Sequence, residues 1–284
     1  MRIVGRRTSS NVDDRRRGGA KKTSLGCVGT LIVGLIIWLL GGNPLSFFAE
    51  QTIGELTTTN KKYTPSAQEE ELAHFSKIVL AGTEDVWNEI FRQMGRQYVP
   101  PKMVLYTRTT QSRCGNATSA TGPFYCSADQ SIYIDLSFFK EMSARLGADG
   151  DFAYAYVIAH EVGHHVQYLL GTLNQVQKQQ QKMNKRESNM LNIRLELQAD
   201  FYAGLWAFHD NKNYNSLEQG DIEEALNAAS QVGDDRLQMK AQGYTVPDSF
   251  NHGTSAQRSR WLRKGLQTGN FSAGDTFSIP SSSL

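Results

Sequence analysis

The pattern HExxH at residues 160–164 constrains this chain more than any other feature of its sequence. If the segment is helical, His160 and His164 project from nearly the same face, about 40° apart. Two imidazoles in this arrangement can bind one zinc ion, and the adjacent Glu161 can then move a proton. A five-residue pattern also occurs by chance on ordinary helices, so the surrounding chain must supply the context.

A pair of acidic residues downstream supplies the first part of that context. Residues 187–209 are predicted to form a long helix, on which Glu196 and Asp200 share a face. Catalytic zinc takes three protein ligands and leaves one position for water, so the two histidines need a partner. Glu196 is the candidate third ligand for one Zn²⁺. Asp200 is the candidate acceptor for the histidine nitrogen that does not bind the metal.

Two residues near the C-terminal end are candidates for a role in the reaction itself. Metal-assisted hydrolysis of a carbonyl compound develops negative charge on the attacked oxygen, which needs a hydrogen-bond donor besides zinc. His252 is the candidate donor, and Arg258 would orient either His252 or a nearby carboxylate. A purely structural role for both residues is the alternative. His165 is predicted to be a buried core histidine, because it lies about 140° around the helix from His160.

Five segments of the chain resemble the bacterial neutral zinc metallopeptidase family, the YpfJ-like proteins. In chain order they are RCGNATSATGPFYC, YCSADQSIYIDLSFF, HEVGHHVQ, ELQADFYAGLWA and NHGTSAQR. HExxH with a downstream ExxxD is also similar to the gluzincin peptidases. The resemblance implies His160, His164 and Glu196 as zinc ligands and Glu161 as the catalytic base. The metzincin pattern is excluded, because it would need glycine at Gln167 and histidine at Leu170.

The segment 130–135 alternates apolar and polar residues, which predicts a half-buried strand. In gluzincins, an edge strand before the HExxH helix pairs with the extended substrate. The resemblance therefore makes Ser131, Ile132 and Tyr133 candidates for substrate binding, with a merely structural strand as the alternative.

The N-terminal region predicts a membrane protein. Residues 1–24 carry eight basic residues and are predicted to be a disordered cytoplasmic arm, and the apolar residues 25–42 are predicted to be a transmembrane helix. A cleaved signal peptide is the alternative. Residues 43–64 read as a linker. The predicted location is the bacterial inner membrane, with a single pass, a cytoplasmic N-terminus and a periplasmic catalytic domain. Without the arm the chain is slightly acidic, which argues against a nucleic-acid partner.

Three cysteines are present, and two of them lie in the part predicted to be exported. Cys114 and Cys126 stand twelve residues apart in a loop rich in small polar residues. An oxidising compartment would favour a disulfide between them.

The predicted fold is α+β and mainly helical: a zincin-like (gluzincin) domain over residues 65–268, preceded by the transmembrane helix. A small sheet precedes the HExxH helix, and a helical lobe follows it. Two helices are expected at 66–80 and 83–94, and residues 269–284 are expected to be a flexible tail. The predicted function is a membrane-anchored zinc endopeptidase acting on a peptide or protein substrate. The alternative is a weakly active or inactive zinc-binding envelope scaffold that works by binding proteins, although a scaffold has no need of Glu161.

Overall fold

The computed structural model describes residues 1–17 and 63–284. The larger of its two sheets has four strands, in the spatial order β1, β2, β6, β5. These strands are β1 (Val12–Asp14), β2 (Lys102–Tyr106), β5 (Phe124–Cys126) and β6 (Ser131–Asp135). The first three in spatial order run parallel, and β5 runs antiparallel to β6. Strands β3 (Thr109–Ser112) and β4 (Gly115–Thr118) form a separate antiparallel hairpin.

Most of the described chain is helical. The helices are α1 (Ala67–Gln93), α2 (Ser137–Glu141), α3 (Asp151–Leu170), α4 (Thr172–Gln180), α5 (Lys185–Tyr214), α6 (Asp221–Gln231), α7 (Asp234–Gln242) and α8 (Ser255–Thr268). Helix α3, which carries HExxH, packs against α1, α5 and α6 and also touches β5. It is therefore the central helix of the molecule.

The two faces of the larger sheet bury different clusters, because side chains alternate along a strand. Met103, Leu105, Ile132 and Ile134 join the main core with the helices. On the other face, Val104, Tyr106 and Tyr133 pack with Ala117 and Cys126 under the hairpin. Cys114 and Cys126 form the predicted disulfide, with their Cα atoms 5.8 Å apart, and it ties the hairpin to β5.

Glycines allow the central helices to approach closely. A Cβ atom at Gly163 of α3 would lie 3.0 Å from the carbonyl oxygen of Ala199 in α5. At the crossing of α5 and α8, a Cβ atom at Gly204 would overlap the carbonyl oxygen of Leu262. The close α3–α5 contact brings the two helices with the predicted zinc ligands side by side.

The predicted break between two N-terminal helices is wrong, since α1 runs without interruption over residues 67–93. Ser66 caps it, in a reciprocal capping box with Glu69. Thr83 is the residue at which the second of the two expected helices would begin. The Thr83 hydroxyl instead donates to the carbonyl oxygen of Leu80, 2.7 Å away. Its hydrogen bond is therefore made within the continuous helix.

The fold class needs a correction at its N-terminal end. The structure is mainly helical with small sheets, and no helix within residues 1–17 and 63–284 is long and apolar enough to cross a membrane. The predicted transmembrane segment 25–42 and nearly all of the predicted linker 43–64 lie outside the described residues. The fold is therefore described without a preceding transmembrane helix.

Residues 1–17 are folded against the rest of the molecule, whereas the sequence predicts a disordered arm. Strand β1 pairs with β2 in the register Val12 to Met103. Arg16 is 2% exposed.

The C-terminal tail is packed against the domain, whereas the sequence predicts a flexible tail. Arg194 donates to the carbonyl oxygen of Ile279 at 3.0 Å, and Leu284 is buried.

The predicted substrate-binding edge is also wrong. Strand β6 carries Ser131, Ile132 and Tyr133, but it lies between β2 and β5, and all five of its residues are buried. Its backbone groups are used by both neighbours, so a peptide cannot add to it. Among the described strands, β5 is an edge strand, with a neighbouring strand on one side only, and it contacts α3.

Candidate metal centre

Helix α3 positions its two histidines in the interior of the molecule. The helix is flanked by two glycines with positive φ: Gly150 precedes it with φ of 111°, and Gly171 follows it with φ of 86°. Between them, apolar residues such as Ile158 and Val162 are fully buried. The helix is therefore enclosed by the core, and His160 and His164 face α5.

Three side chains converge between α3 and α5. The Nε2 atom of His160 lies 3.2 Å from Glu196 Oε2, and the Nε2 atom of His164 lies 3.5 Å from Glu196 Oε1. One ligand atom from each of the three residues lies within 4.8 Å of the other two. All three side chains are at most 15% exposed.

These distances fit a zinc ion. Three ligand atoms at about 2.0–2.2 Å from a tetrahedral zinc lie about 3.3–3.6 Å from one another. The two imidazole–carboxylate distances fall close to that range, and two nitrogens with one carboxylate are a common donor set for catalytic zinc. Residues His160, His164 and Glu196 can therefore hold one zinc ion.

Each histidine is held through its other ring nitrogen. Nδ1 of His160 lies 2.8 Å from Asp200 Oδ1, and Nδ1 of His164 lies 2.9 Å from Gln167 Oε1. Gln167 in turn donates to the carbonyl oxygen of Leu195, 2.7 Å away on α5. These contacts place the proton on Nδ1 and leave both Nε2 atoms free to bind a metal.

Asp200 is the centre of a buried network beneath the metal site. Arg258 forms a two-pronged pair with its carboxylate, with Nε 2.9 Å from Oδ2 and Nη2 3.0 Å from Oδ1. The Tyr156 hydroxyl donates to Oδ1 at 2.6 Å. Arg258 was predicted to orient either His252 or a nearby carboxylate. In the structure it orients the Asp200 carboxylate, and among the described residues it makes no hydrogen bond to His252.

The electrostatics of the site favour a positive charge between the two helices. Burial opposes a proton on His160, yet the Asp200 and Glu196 carboxylates raise the pKa of His160 to about 10. Burial would raise the pKa of Glu196, but His164 and His160 lower it below its ordinary value. A bound cation meets the same negative potential, so zinc and a proton compete for this position.

Glu161 differs from the other acidic residues of the site. Glu161 is only 8% exposed, and its carboxylate makes no hydrogen bond or ion pair within residues 1–17 and 63–284. It follows His160 directly on α3, about 100° around the helix axis. Its carboxylate is therefore free to accept a proton rather than committed to the structure.

His252 is held by a carboxylate that the sequence interpretation did not identify. Its Nδ1 atom lies 3.1 Å from Asp234 Oδ1, and the other carboxylate oxygen accepts three backbone N–H groups, from Asn251, His252 and Gly253, at 2.7–3.0 Å. Burial would lower the pKa of His252, but Asp234 and then Glu196 raise it. The imidazole is 47% exposed. The Nε2 side of the ring is therefore accessible to solvent or substrate.

Sequence interpretation missed Asp234 and assigned no role to Gln167. Gln167 stands three residues after His164 and so shares its face of α3, and this spacing is a usable signal. The signal for Asp234 is weaker, because an acidic residue at the first position of a helix, here α7, is common without any functional role. Its link to His252 spans 18 residues, and only the folded loop brings the two together.

His165 lies in the core, fully buried. Its Nε2 atom lies 2.7 Å from the carbonyl oxygen of Val99, and its Nδ1 atom lies 2.9 Å from the Tyr125 hydroxyl on β5. Burial lowers the pKa of His165 to about 4. The imidazole is therefore neutral and joins α3 to the edge strand of the sheet.

Comparison with known proteins identifies the family. The family described as "Putative neutral zinc metallopeptidase" matches residues 1–277. "Uncharacterized protein YpfJ" of Escherichia coli (strain K12) is 46% identical over 287 residues, which cover 98% of this chain and 99% of that protein. "Uncharacterized protein Rv2575" of Mycobacterium tuberculosis is 37% identical over 214 residues, which cover 72% of this chain and 71% of that protein. No solved structure matches the chain. This chain belongs to the neutral zinc metallopeptidase family.

Proposed function

We propose that this protein is a zinc-dependent endopeptidase that hydrolyses peptide bonds in peptide or protein substrates. The observation that carries the proposal is the convergence of His160, His164 and Glu196, with the carboxylate of Glu161 beside them and unpaired among the described residues. A purely structural zinc site is normally closed by four protein ligands, whereas three ligands leave a position for water. The donor set therefore favours catalysis over a structural metal.

The chemistry divides between the metal and the side chains. Zinc held by these residues would lower the pKa of water and polarise the scissile carbonyl. Glu161 would accept the proton of the attacking water and pass it to the leaving amine. Asp200, Arg258 and Gln167 would keep the two imidazoles in one tautomer and orientation throughout.

His252 is the proposed donor to the oxygen of the attacked carbonyl. The raised pKa of His252 favours the protonated ring that a donor role requires, and its partner Asp234 fixes Nδ1 so that Nε2 remains available. Negative charge develops on that oxygen only as the peptide bond is attacked. A hydrogen bond from His252 would therefore be strongest in the transition state.

The working compartment of the catalytic domain is proposed to be the periplasm. The disulfide between Cys114 and Cys126 supports this, because such bonds persist in oxidising compartments. The disulfide joins the β3–β4 hairpin to β5, and β5 contacts the active-site helix α3. The bond therefore lies in the same folded unit as the proposed active site.

Zinc analysis together with a cleavage assay tests the proposed function. We expect about one zinc ion per purified chain and zinc-dependent cleavage of an unfolded protein substrate, with both lost in Glu196→Ala. Glu223→Ala is the matched control, because Glu223 is an exposed helical glutamate on α6. A Glu196→Ala protein that kept stoichiometric zinc would refute the ligand set. Zinc-loaded wild type that cleaves no peptide bond would favour the scaffold alternative.

Replacing His252 by alanine tests its role in the reaction. We expect kcat to fall by about 10²–10³, the effect of removing one transition-state donor, with little change in KM. Zinc content should be unchanged, and His252→Gln, which keeps a donor, should recover part of the rate. His74→Ala is the control, since His74 is an exposed histidine on α1. An unchanged kcat in His252→Ala would remove His252 from the mechanism.

A further inference from the structure

Two acids of the domain find their side-chain partners in the N-terminal segment. Asp210 on α5 is fully buried, and the Arg6 guanidinium pairs with both of its carboxylate oxygens. Glu84 on α1 is 5% exposed, and its carboxylate accepts from Arg7, Ser9 and Asn11. Within residues 1–17 and 63–284, neither carboxylate has a side-chain hydrogen bond to any other part of the chain.

A buried carboxylate is strongly unfavourable without a charged or hydrogen-bonded partner, and the N-terminal segment supplies that partner for both acids. The domain is also shaped to receive the segment. The pair of Arg6 and Asp210 lies over Gly82 of α1, where a Cβ atom would come within 2.6 Å of the Arg6 Nη2 atom. A glycine at this position leaves room for the guanidinium.

Backbone hydrogen bonds add to the side-chain contacts. The amide of Met103 donates to the carbonyl oxygen of Asn11, and the amide of Arg15 donates to the carbonyl oxygen of Leu105, both at 2.8 Å. These bonds add β1 to the outer edge of β2. At the end of the strand, Arg16 pairs with Asp14 and Glu70 and is buried.

We propose that the domain carries an acidic docking surface for a basic, extended segment, formed by Glu70, Glu84, Asp210 and the edge of β2, and that residues 6–16 of this same chain are its occupant. This segment is a structural part of the catalytic domain. It is neither an orientation signal nor a free arm.

The ends of the undescribed part of the chain support docking within one chain. Arg17, just before it, donates to Glu70 at 2.7 Å, and Tyr63, just after it, donates to Glu69. Both contacts lie in the first turn of α1. Arg17 and Tyr63, the described residues on either side of residues 18–62, therefore lie at one place on the folded unit.

Docking of this kind has a consequence for topology. Residues 6–16 and the catalytic domain must lie in one compartment, because they share a sheet and buried ion pairs. A cytoplasmic arm with a periplasmic domain does not satisfy this condition. If the domain works in the periplasm, the segment works there with it.

A double-mutant cycle between Arg6 and Asp210 in the full chain tests the docking. We expect Arg6→Met to speed tryptic cleavage after Arg7 and Arg16 by at least about tenfold, since a charge-assisted, two-pronged pair is lost. In the Asp210→Asn background, the same change should add less than about twofold. Arg186→Met is the matched control, because Arg186 forms an exposed pair with Asp248. Full additivity of the two changes would overturn the proposed pairing.

Two measurements on the unaltered chain remain informative if a variant fails to fold. Arg16 should be cleaved at least about tenfold more slowly than the exposed Arg186, and equal rates would contradict docking. In sealed vesicles from cells that express the full chain, added trypsin should reach the exposed Arg2 and Arg186 together or neither of them. Cleavage at one site with protection at the other would show two compartments and refute the proposal.

Discussion

Glu161→Gln is expected to bind zinc as the wild type does and to lose peptide hydrolysis, with kcat lower by about 10²–10⁴. Glutamine keeps the size and the hydrogen-bonding oxygen of the side chain, but it cannot accept a proton from the attacking water. The ligands His160, His164 and Glu196 are untouched, so about one zinc ion per chain should remain. Paired measurements of zinc content and of kcat on one peptide substrate check both halves of this expectation.

Glu223→Gln is the matched control for this change. Glu223 is an exposed glutamate on α6 without a role in the site, so its replacement should alter neither zinc content nor kcat. Undiminished cleavage by Glu161→Gln would refute Glu161 as the base. If wild type and Glu161→Gln bound partner proteins equally and neither cleaved them, the scaffold alternative would replace the enzyme. The same variant can hold its substrate without cutting it, which makes it suitable for substrate capture.

Arg258→Met is expected to lower the free energy of unfolding by about 3–5 kcal/mol. The Arg258 side chain is 6% exposed and its partner Asp200 is fully buried, so the change leaves a buried carboxylate without its counter-charge. Burial alone would raise the pKa of Asp200, and Arg258 is the leading cause of its lowered value. Urea unfolding at neutral pH, where Asp200 is ionised in the wild type, measures the loss.

Three further variants sharpen this test. Arg260→Met, an exposed neighbour on α8, should change stability by less than about 0.5 kcal/mol. Arg258→Lys should give an intermediate loss, because an ammonium cannot make the two-pronged contact. Adding Asp200→Asn to Arg258→Met should recover part of the lost stability, because the unpaired charge is gone. A loss in Arg258→Met no larger than that in Arg260→Met would contradict the central position of Arg258 in the network.

The network around Asp200 also bears on zinc affinity. Partners of ligating histidines typically contribute about 10–100-fold to metal binding. His160 has Asp200 and His164 has Gln167, so each imidazole is oriented independently of the other. The site is therefore preformed on two packed helices, which suits a reaction that needs fixed geometry.

The sequence by itself determined the features that depend on local periodicity. His160 and His164 share a face because residues four apart on a helix always do, and the same rule places Glu196 above Asp200. The burial of His165 follows from its angle around the same helix. The disulfide could also be predicted, because Cys114 and Cys126 are the two cysteines in the part predicted to be exported and are separated by only 12 positions in sequence.

Only the tertiary structure decided the features that depend on which elements become neighbours. Strand order is such a feature: an alternating pattern predicts that Ser131–Asp135 is a strand, but it cannot tell an inner strand from an edge strand. The partner of His252 is another, because Asp234 reaches it only through the folded loop before α8.

The N-terminal segment gives the clearest contrast. Its basic residues have the composition of a disordered arm or an orientation signal. The acids that bind it lie far along the chain, and Arg6 and Asp210 are separated by 204 positions in sequence. Local patterns determine which face a side chain occupies, whereas long-range packing determines what that face meets, because no short-range rule links residues so distant in sequence.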